Sequence, residues 1–157
     1  MNAFETHFAP LTTRLREIGG TVKLSQSQAA AESYSIHAII KSLPLASLLL
    51  TVDGETAQIA SVQILGQHRR KGLARQYLDL AEEWARQRGT KRMTLIATGQ
   101  GQLAWRALRP QARLKWSVVL EQEWLLCYPG QPLPVTAGEL PEGFAANCQG
   151  YEMEWNL

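Results

Sequence analysis

Apolar positions along this chain follow different rhythms in successive stretches. Phe8, Leu11, Leu15 and Ile18 recur at helical spacing and stop at Gly19-Gly20, which predicts a helix over roughly residues 8–18. The next stretch, "TVKLSQSQAAAESYS", has no clear period and fits a short strand followed by either helix or loop. From Ser35 the rhythm is that of strands. "SIHAIIK" and "LASLLLTV" are β-prone runs separated by a turn at "SLP". Asp53-Gly54 then divides "LLLTV" from "TAQIASVQIL", a hairpin signal, because a tight turn needs residues that accept positive φ. Residues 35–65 therefore predict three successive antiparallel strands.

Helical period returns after residue 72. Leu73, Tyr77, Leu80, Ala81 and Trp84 form a stripe, with Arg75, Asp79, Glu82, Glu83 and Arg86 mostly away from it and Gly89 as the expected stop. Glu82 and Arg86 stand i,i+4 in the favourable order. "KRMTLIAT" reads as a buried strand, so residues 57–98 compose a strand–helix–strand unit with a parallel pair. "GQGQLAWRALRP" predicts a loop and a short helix ended by Pro110, and "KWSVVLEQEWLLCY" a long strand. Residues 129–150 hold four of the seven prolines and read as an extended loop. The final "YEMEWNL" alternates, with Tyr151, Met153, Trp155 and Leu157 on one face, as a half-buried terminal strand does.

Composition narrows the class without naming a function. At 157 residues, 45% hydrophobic and 19% charged, the chain predicts one folded domain over 1–157. Its formal charge of +2 gives no reason to invoke nucleic acid or an acidic membrane. Cys127 and Cys148 match no metal or redox spacing and read as buried thiols. With only His7, His37 and His68 besides, no metal site is expected. The first twenty residues lack the apolar core of a signal peptide, and "LASLLLTV" is too short to span a bilayer, so a cytoplasmic setting is the expectation.

Charge is concentrated at one place. "QHRRKGLARQ" sets Arg69, Arg70, Lys71 and Arg75 around Gly72 where a strand passes into a helix. A helix N-terminus leaves its first N–H groups unpaired and carries partial positive charge. A glycine there allows close approach, and added cations make phosphate the natural guest; the bland alternative is a solvated basic turn. Neither GxxxxGK[ST] nor GxGxxG occurs in the loop, so neither a P-loop nor a dinucleotide fingerprint is present.

The run Arg69-Arg70-Lys71-Gly72-Leu73-Ala74 resembles the signature [Gln/Arg]-x-x-Gly-x-[Gly/Ala] of the acyl-coenzyme A dependent N-acyltransferase superfamily (GNAT). "VQILGQH" before it is similar to that family's fourth strand, and "LARQYLDLAEEWARQRGTKRMTLIA" after it to the third helix and fifth strand. The resemblance covers 57–98 well and 35–128 by element order. It implies an α+β, α/β/α-type fold. Its sheet would be mixed and mostly antiparallel, with about six to seven strands, a central parallel pair and flanking helices.

It further implies an N-acetyltransferase that moves an acetyl group from acetyl-CoA to a primary amine, with no metal. Amides of Arg70, Lys71, Gly72, Leu73, Ala74 and Arg75 would hold the diphosphate, and side chains of Arg69, Arg70 or Lys71 the 3′-phosphate. Backbone groups of Ile64, Leu65 and Gly66 would lie along the pantetheine arm, with the thioester near Val62–Ile64, where an amide can polarise its carbonyl.

Two features of the family are missing. Gln58 stands where histone-acetyltransferase-like members carry a glutamate base, and an amide does not accept a proton at physiological pH. Between Tyr77 and Tyr128 no tyrosine is available as an acid; the helix offers Trp105, Leu108 and Arg109 instead. The catalytic residues are therefore unassigned. Asp53, Glu55, Glu121 and Glu123 are candidate acceptors through water, and the other outcome is a coenzyme A-binding regulatory or interaction protein without catalysis. His37 reads as structural and His68 as solvent-exposed. Trp105, Trp116 and Trp124 read as core, and Arg106, Arg109, Arg113 and Lys115 as a solvated face. The implied partners are acyl-CoA and an amine acceptor, with a homodimer as the expected assembly and nucleic acid disfavoured because no stacking aromatics accompany the cations.

Overall fold

The computed structural model describes residues 1–29, 31–69, 71–98, 101–115, 136–139 and 150–157. Arg70, Trp116, Glu121, Glu123, Trp124, Cys127, Tyr128 and Cys148 lie outside the described residues, as do most of the expected strand at 115–128 and of the loop at 129–150. The chain forms two compact units, 1–91 with Leu157, and 92–156.

In the first unit, α1 (Ala3–Glu17) leads into four strands, β1 (Thr21–Gln28), β2 (Glu32–Ile40), β3 (Leu43–Asp53) and β4 (Thr56–Ile64), followed by α2 (Leu73–Arg86). Helix α1 starts five residues earlier than the apolar spacing predicts. Asn2 accepts from the Glu5 amide at 2.9 Å while the Glu5 carboxylate accepts from the Asn2 amide at 3.1 Å, a capping box legible as Asn-x-x-Glu. Phe4 extends the buried stripe of Phe8, Leu11 and Leu15.

The strands pair antiparallel in sequence order. The stretch without a period is β1 and the start of β2: "KLSQSQ" has no apolar alternation because β1 is bonded on one side only within the unit and buries little. The turn into β3 falls at Lys41-Ser42, both with positive φ, and overlaps "SLP" only at Ser42; Leu43 and Pro44 are already in β3, where the register shifts opposite Ala38/Ile39. The Asp53-Gly54 hairpin is as expected, with Asp53 opposite Thr56 and Gly54 at φ 59.

One face of this sheet carries Tyr34, Ile36, Ala38, Leu48, Leu50, Val52, Ala57 and Ile59, all buried. Both helices pack on that face. The ring of Tyr34 lies 5.2 Å from Phe4 of α1 and 5.3 Å from Trp84 of α2. Phe8 and His7 close the same aromatic cluster against Trp84, and Arg88 lies over the Trp84 ring. The other face is polar: Ser25 bonds Ser35 at 2.7 Å, and His37 bonds Ser47 at 3.2 Å.

Helix α2 buries Leu73, Tyr77, Ala81 and Trp84 as expected, and Leu78 and Ala85 as well. Glu82, expected away from the stripe, is buried too, with its carboxylate 3.5 Å from Arg86. A six-residue apolar arc on this helix leaves little room for a fully exposed neighbour. The last helical residue is Arg86, and Gly89 at φ 80 completes the turn after it.

The second unit holds β5 (Arg92–Thr98), α3 (Gly101–Leu108), β6 (Arg113–Lys115) and β7 (Gly150–Asn156), with β7 bonded antiparallel to β5 and to β6. Tyr151, Met153 and Trp155 of β7 are buried while Glu152 and Glu154 are half-buried, the alternation that the sequence announced. Among the described residues no helix is long and apolar enough to cross a membrane.

Candidate functional site

The strand–loop–helix passage from β4 to α2 is built entirely within the first unit. Strand β4 carries a bulge: Leu49 faces Ser61 and Leu50 faces Ile59, so Ala60 is the extra residue. The strand closes where the Leu65 amide donates to the Leu45 carbonyl at 2.9 Å. A single 3-10 turn follows over Gly66–His68, with His68 bonding Leu65 and Arg69 bonding Gly66 through the main chain.

Gly72 is the N-cap of α2 at φ 77, ψ 8, a left-handed conformation that disfavours a Cβ. A Cβ built there would meet nothing within 4 Å, so the glycine answers a backbone need and the space beside it is open. Among the described residues no side chain caps the helix. The first α2 amide to find a helical partner is that of Gln76, which donates to the Gly72 carbonyl at 3.0 Å. Among the described residues no protein acceptor engages the amides of Gly72, Leu73, Ala74 or Arg75. These are the unpaired donors that every helix start must satisfy with a side chain, water or ligand.

Cations surround it. Arg75 and Arg69 are exposed, and the Lys71 ammonium donates toward His68 Nδ1 at 3.3 Å. His68 is half-buried, not solvent-exposed as expected, because the 3-10 turn folds it against the loop; its Nε2 is buried without a partner. Arg69 turns back, its Nε donating to the Ile64 carbonyl at 2.9 Å. Arg14, from α1, donates through Nη1 to Gln76 Oε1 at 2.7 Å and through Nη2 to the Lys71 carbonyl at 2.5 Å. Among the described residues no carboxylate pairs with Arg14, Arg69, Lys71 or Arg75. The site is therefore net cationic at a helix N-terminus, the arrangement that favours an anion.

Of the residues that sequence reasoning grouped here, the structure places Ile64 at the end of β4, Gly66 in the 3-10 turn, Arg69 just after it, Gly72 at the N-cap and Leu73, Ala74 and Arg75 in the first turn of α2. Sequence reasoning missed Arg14. Nothing in the local pattern around residue 14 points to a loop 57 residues onward; that neighbourhood exists only because α1 packs on α2.

Other candidates separate from the loop. Gln58 is exposed on β4. Asp53 and Glu55 sit at the hairpin that begins β4, whose nine residues span about 30 Å. Glu55 is also paired to Lys91 at 3.0 Å. His37 is exposed on the polar face of the sheet. In the second unit Trp105 is buried as expected. Arg109 is buried as well and Arg106 donates to the Ala137 carbonyl at 3.2 Å, so these two arginines serve the packing of α3 and are not a solvated face. Two phenols titrate above their ordinary range: Tyr77 through burial alone, and Tyr34 through burial and then its bond to Glu32.

Comparison with known proteins identifies the family and the fold. The model of the acetyltransferase (GNAT) family matches residues 16–109, more than half the chain. The chain belongs to that family. No curated protein matches it by sequence. A GNAT family acetyltransferase from Elizabethkingia anophelis, solved with acetyl-CoA bound, superposes with a TM-score of 0.51 at 13% identity, over 87% of this chain and 98% of that one. A Bacillus subtilis acetyltransferase in complex with CoA gives 0.51 at 12% identity, over 87% and 99%. Their shared fold is of the class expected from the sequence, a mixed, mostly antiparallel sheet flanked by helices. The chain spans only 61% of the PaiA N-acetyltransferase from Thermoplasma acidophilum, solved with coenzyme A (10% identity, 80% of this chain, TM-score 0.48).

Proposed function

We propose that this protein is an N-acyltransferase that takes the acyl group of an acyl-coenzyme A, acetyl being the first candidate, to a primary amine of an acceptor. The observation that supports this most directly is the open start of α2: amides from Gly72 to Arg75 unengaged among the described residues, beside a left-handed glycine and cations that no described carboxylate pairs. In this reading those amides, with Arg70 and Lys71, hold the diphosphate. Arg69 and Lys71 add charge, and the main chain of Ile64, Leu65 and Gly66 lies along the pantetheine arm. The Ile64 carbonyl, already accepting from Arg69, retains a second lone pair for such a ligand. Bound there, coenzyme A supplies the activated thioester.

The chain's own contribution at this loop is anchoring and charge neutralisation. Gln58 accepts no proton, and Asp53 and Glu55 lie roughly 20 Å along β4 from Val62. Glu121 and Glu123 lie outside the described residues; with neither Asp53 nor Glu55 near Val62, this reading has the acceptor amine shed its proton to water. The rate should then rise with pH toward the amine's own pKa, about 10 for an alkylamine. Gln58→Glu should flatten that slope near neutrality; a slope already flat in the unsubstituted protein would mean that a base exists and has been overlooked.

A second reading, a coenzyme A-binding protein without turnover, is favoured by the same Gln58. Thermal denaturation with coenzyme A tests binding: ligand at 100 times its Kd should add about 2.7 kcal/mol of apparent stability. Thiol release from acetyl-CoA with a panel of amines separates the readings. Binding without release selects the second, and no binding of any acyl-CoA by the folded protein removes both.

A further inference from the structure

The Arg14 guanidinium makes a two-pronged contact that the anion site does not need for its charge alone. One prong holds the Lys71 carbonyl and the other holds Gln76, one turn into α2. A trans peptide points its C=O and its N–H in opposite directions. Pinning the Lys71 carbonyl toward α1 therefore fixes the Gly72 N–H away from α1. The plane so fixed has room to rotate, because the residue after it is a glycine in a left-handed conformation with open space around it. The second prong ties that plane to the helix whose first turn supplies the neighbouring donors.

We propose that Arg14 is a positioning residue of the anion-binding loop: by clamping the Lys71–Gly72 peptide against α2, it presets the Gly72 amide in line with the amides of Leu73 to Arg75. The inference rests on the proposed function for the identity of the anion, a coenzyme A diphosphate. It does not rest on it for the clamp itself. Three features of the structure support the clamp. The two bonds are 2.7 and 2.5 Å. Arg14 is half-buried where α1 meets α2, with no carboxylate partner among the described residues. The planar fork matches two acceptors at once, which a lysine ammonium on a flexible stem reproduces poorly. Ligand binding then meets a loop whose ordering has already been done by the protein.

The test uses the full chain with Arg14→Met, which keeps the apolar stem, and Arg14→Lys, which keeps the charge. Calorimetric titrations compare coenzyme A, dephospho-coenzyme A and pantetheine. In Arg14→Met, affinity for both diphosphate-bearing compounds should fall about tenfold, the loss expected of hydrogen bonds to a charged group. Their ratio should not change, and pantetheine should be unaffected. Arg14→Lys should recover little of the loss; full recovery by lysine would reduce Arg14 to a point charge and overturn the clamp, as would unchanged affinity in Arg14→Met.

A ligand-free readout separates this inference from the functional one. In amide relaxation-dispersion spectra, the Gly72 and Leu73 resonances should be free of exchange in the original protein and broadened in Arg14→Met. Broadening would uphold the clamp even if coenzyme A failed to bind, which would defeat only the proposed function. Identical spectra would sink the clamp. Gln76→Leu, which cuts one prong, should give a smaller change in the same direction, and it provides the measurement should Arg14→Met fold poorly.

Discussion

The first unit contains two helix starts that treat the same physical problem in opposite ways. Helix α1 is sealed by its own sequence: Asn2 and Glu5 satisfy each other's main-chain donors. Helix α2 begins at Gly72 with no side-chain cap, its first amides unengaged among the described residues, cations around it, and its geometry held from outside by Arg14. A capped end contributes stability. An uncapped end, held in shape by a residue from another helix, keeps its donors for something that is not part of the chain. The contrast makes α2 a candidate binding site on physical grounds alone.

The largest expected effect comes from closing the open end. Gly72→Asp places a carboxylate among the amides, and at about 4 Å from a diphosphate the repulsion should weaken coenzyme A binding by about a hundredfold or more, read by calorimetry. Binding that survives this change would mean that the ligand sits elsewhere. Gly72→Ala tests conformation without charge. A Cβ at φ 77 costs about 1–2 kcal/mol, shared between lower stability and an affinity loss of about tenfold.

Opening the sealed end should do the reverse. Asn2→Ala removes the cap of α1 and should cost about 1 kcal/mol in chemical denaturation, with coenzyme A affinity unchanged. An affinity loss as large as the stability loss would show that the two helix starts are not independent.

Tyr77 provides the smallest effect and a control on α2 itself. Its hydroxyl is buried without a hydrogen-bond partner among the described residues, so Tyr77→Phe deletes an unsatisfied group and should change stability at neutral pH by less than about 1 kcal/mol, in either direction. The pH dependence is more telling. Burial holds Tyr77 and Tyr34 above the ordinary phenol range, so the folded protein keeps protons that the unfolded chain releases. The associated stability is complete below about pH 10 and is lost as pH rises beyond it. Tyr77→Phe should make that alkaline decline of the melting temperature shallower; an unchanged decline would assign it to other groups.

The sequence alone determined the local events. The strand before the loop, the glycine that accepts positive φ, the amphipathic arc of α2 and the alternation of β7 are each written within a few residues, because turn geometry and one-sided burial act over that range. The family signature belongs to the same class of information. Where pattern failed, burial came from partners far along the chain. Strand β1 has almost no apolar alternation and exists because β2 pairs with it. Glu82 is buried because the packed face of α2 is wider than its stripe, and Arg109, the residue after α3, is buried within its own unit. Arg14 is the clearest case, an unremarkable polar position on one helix that becomes the clamp of a loop on another. Only the tertiary structure decided that, since a guanidinium fork acquires its meaning from two acceptors that chain folding alone brings within 3 Å.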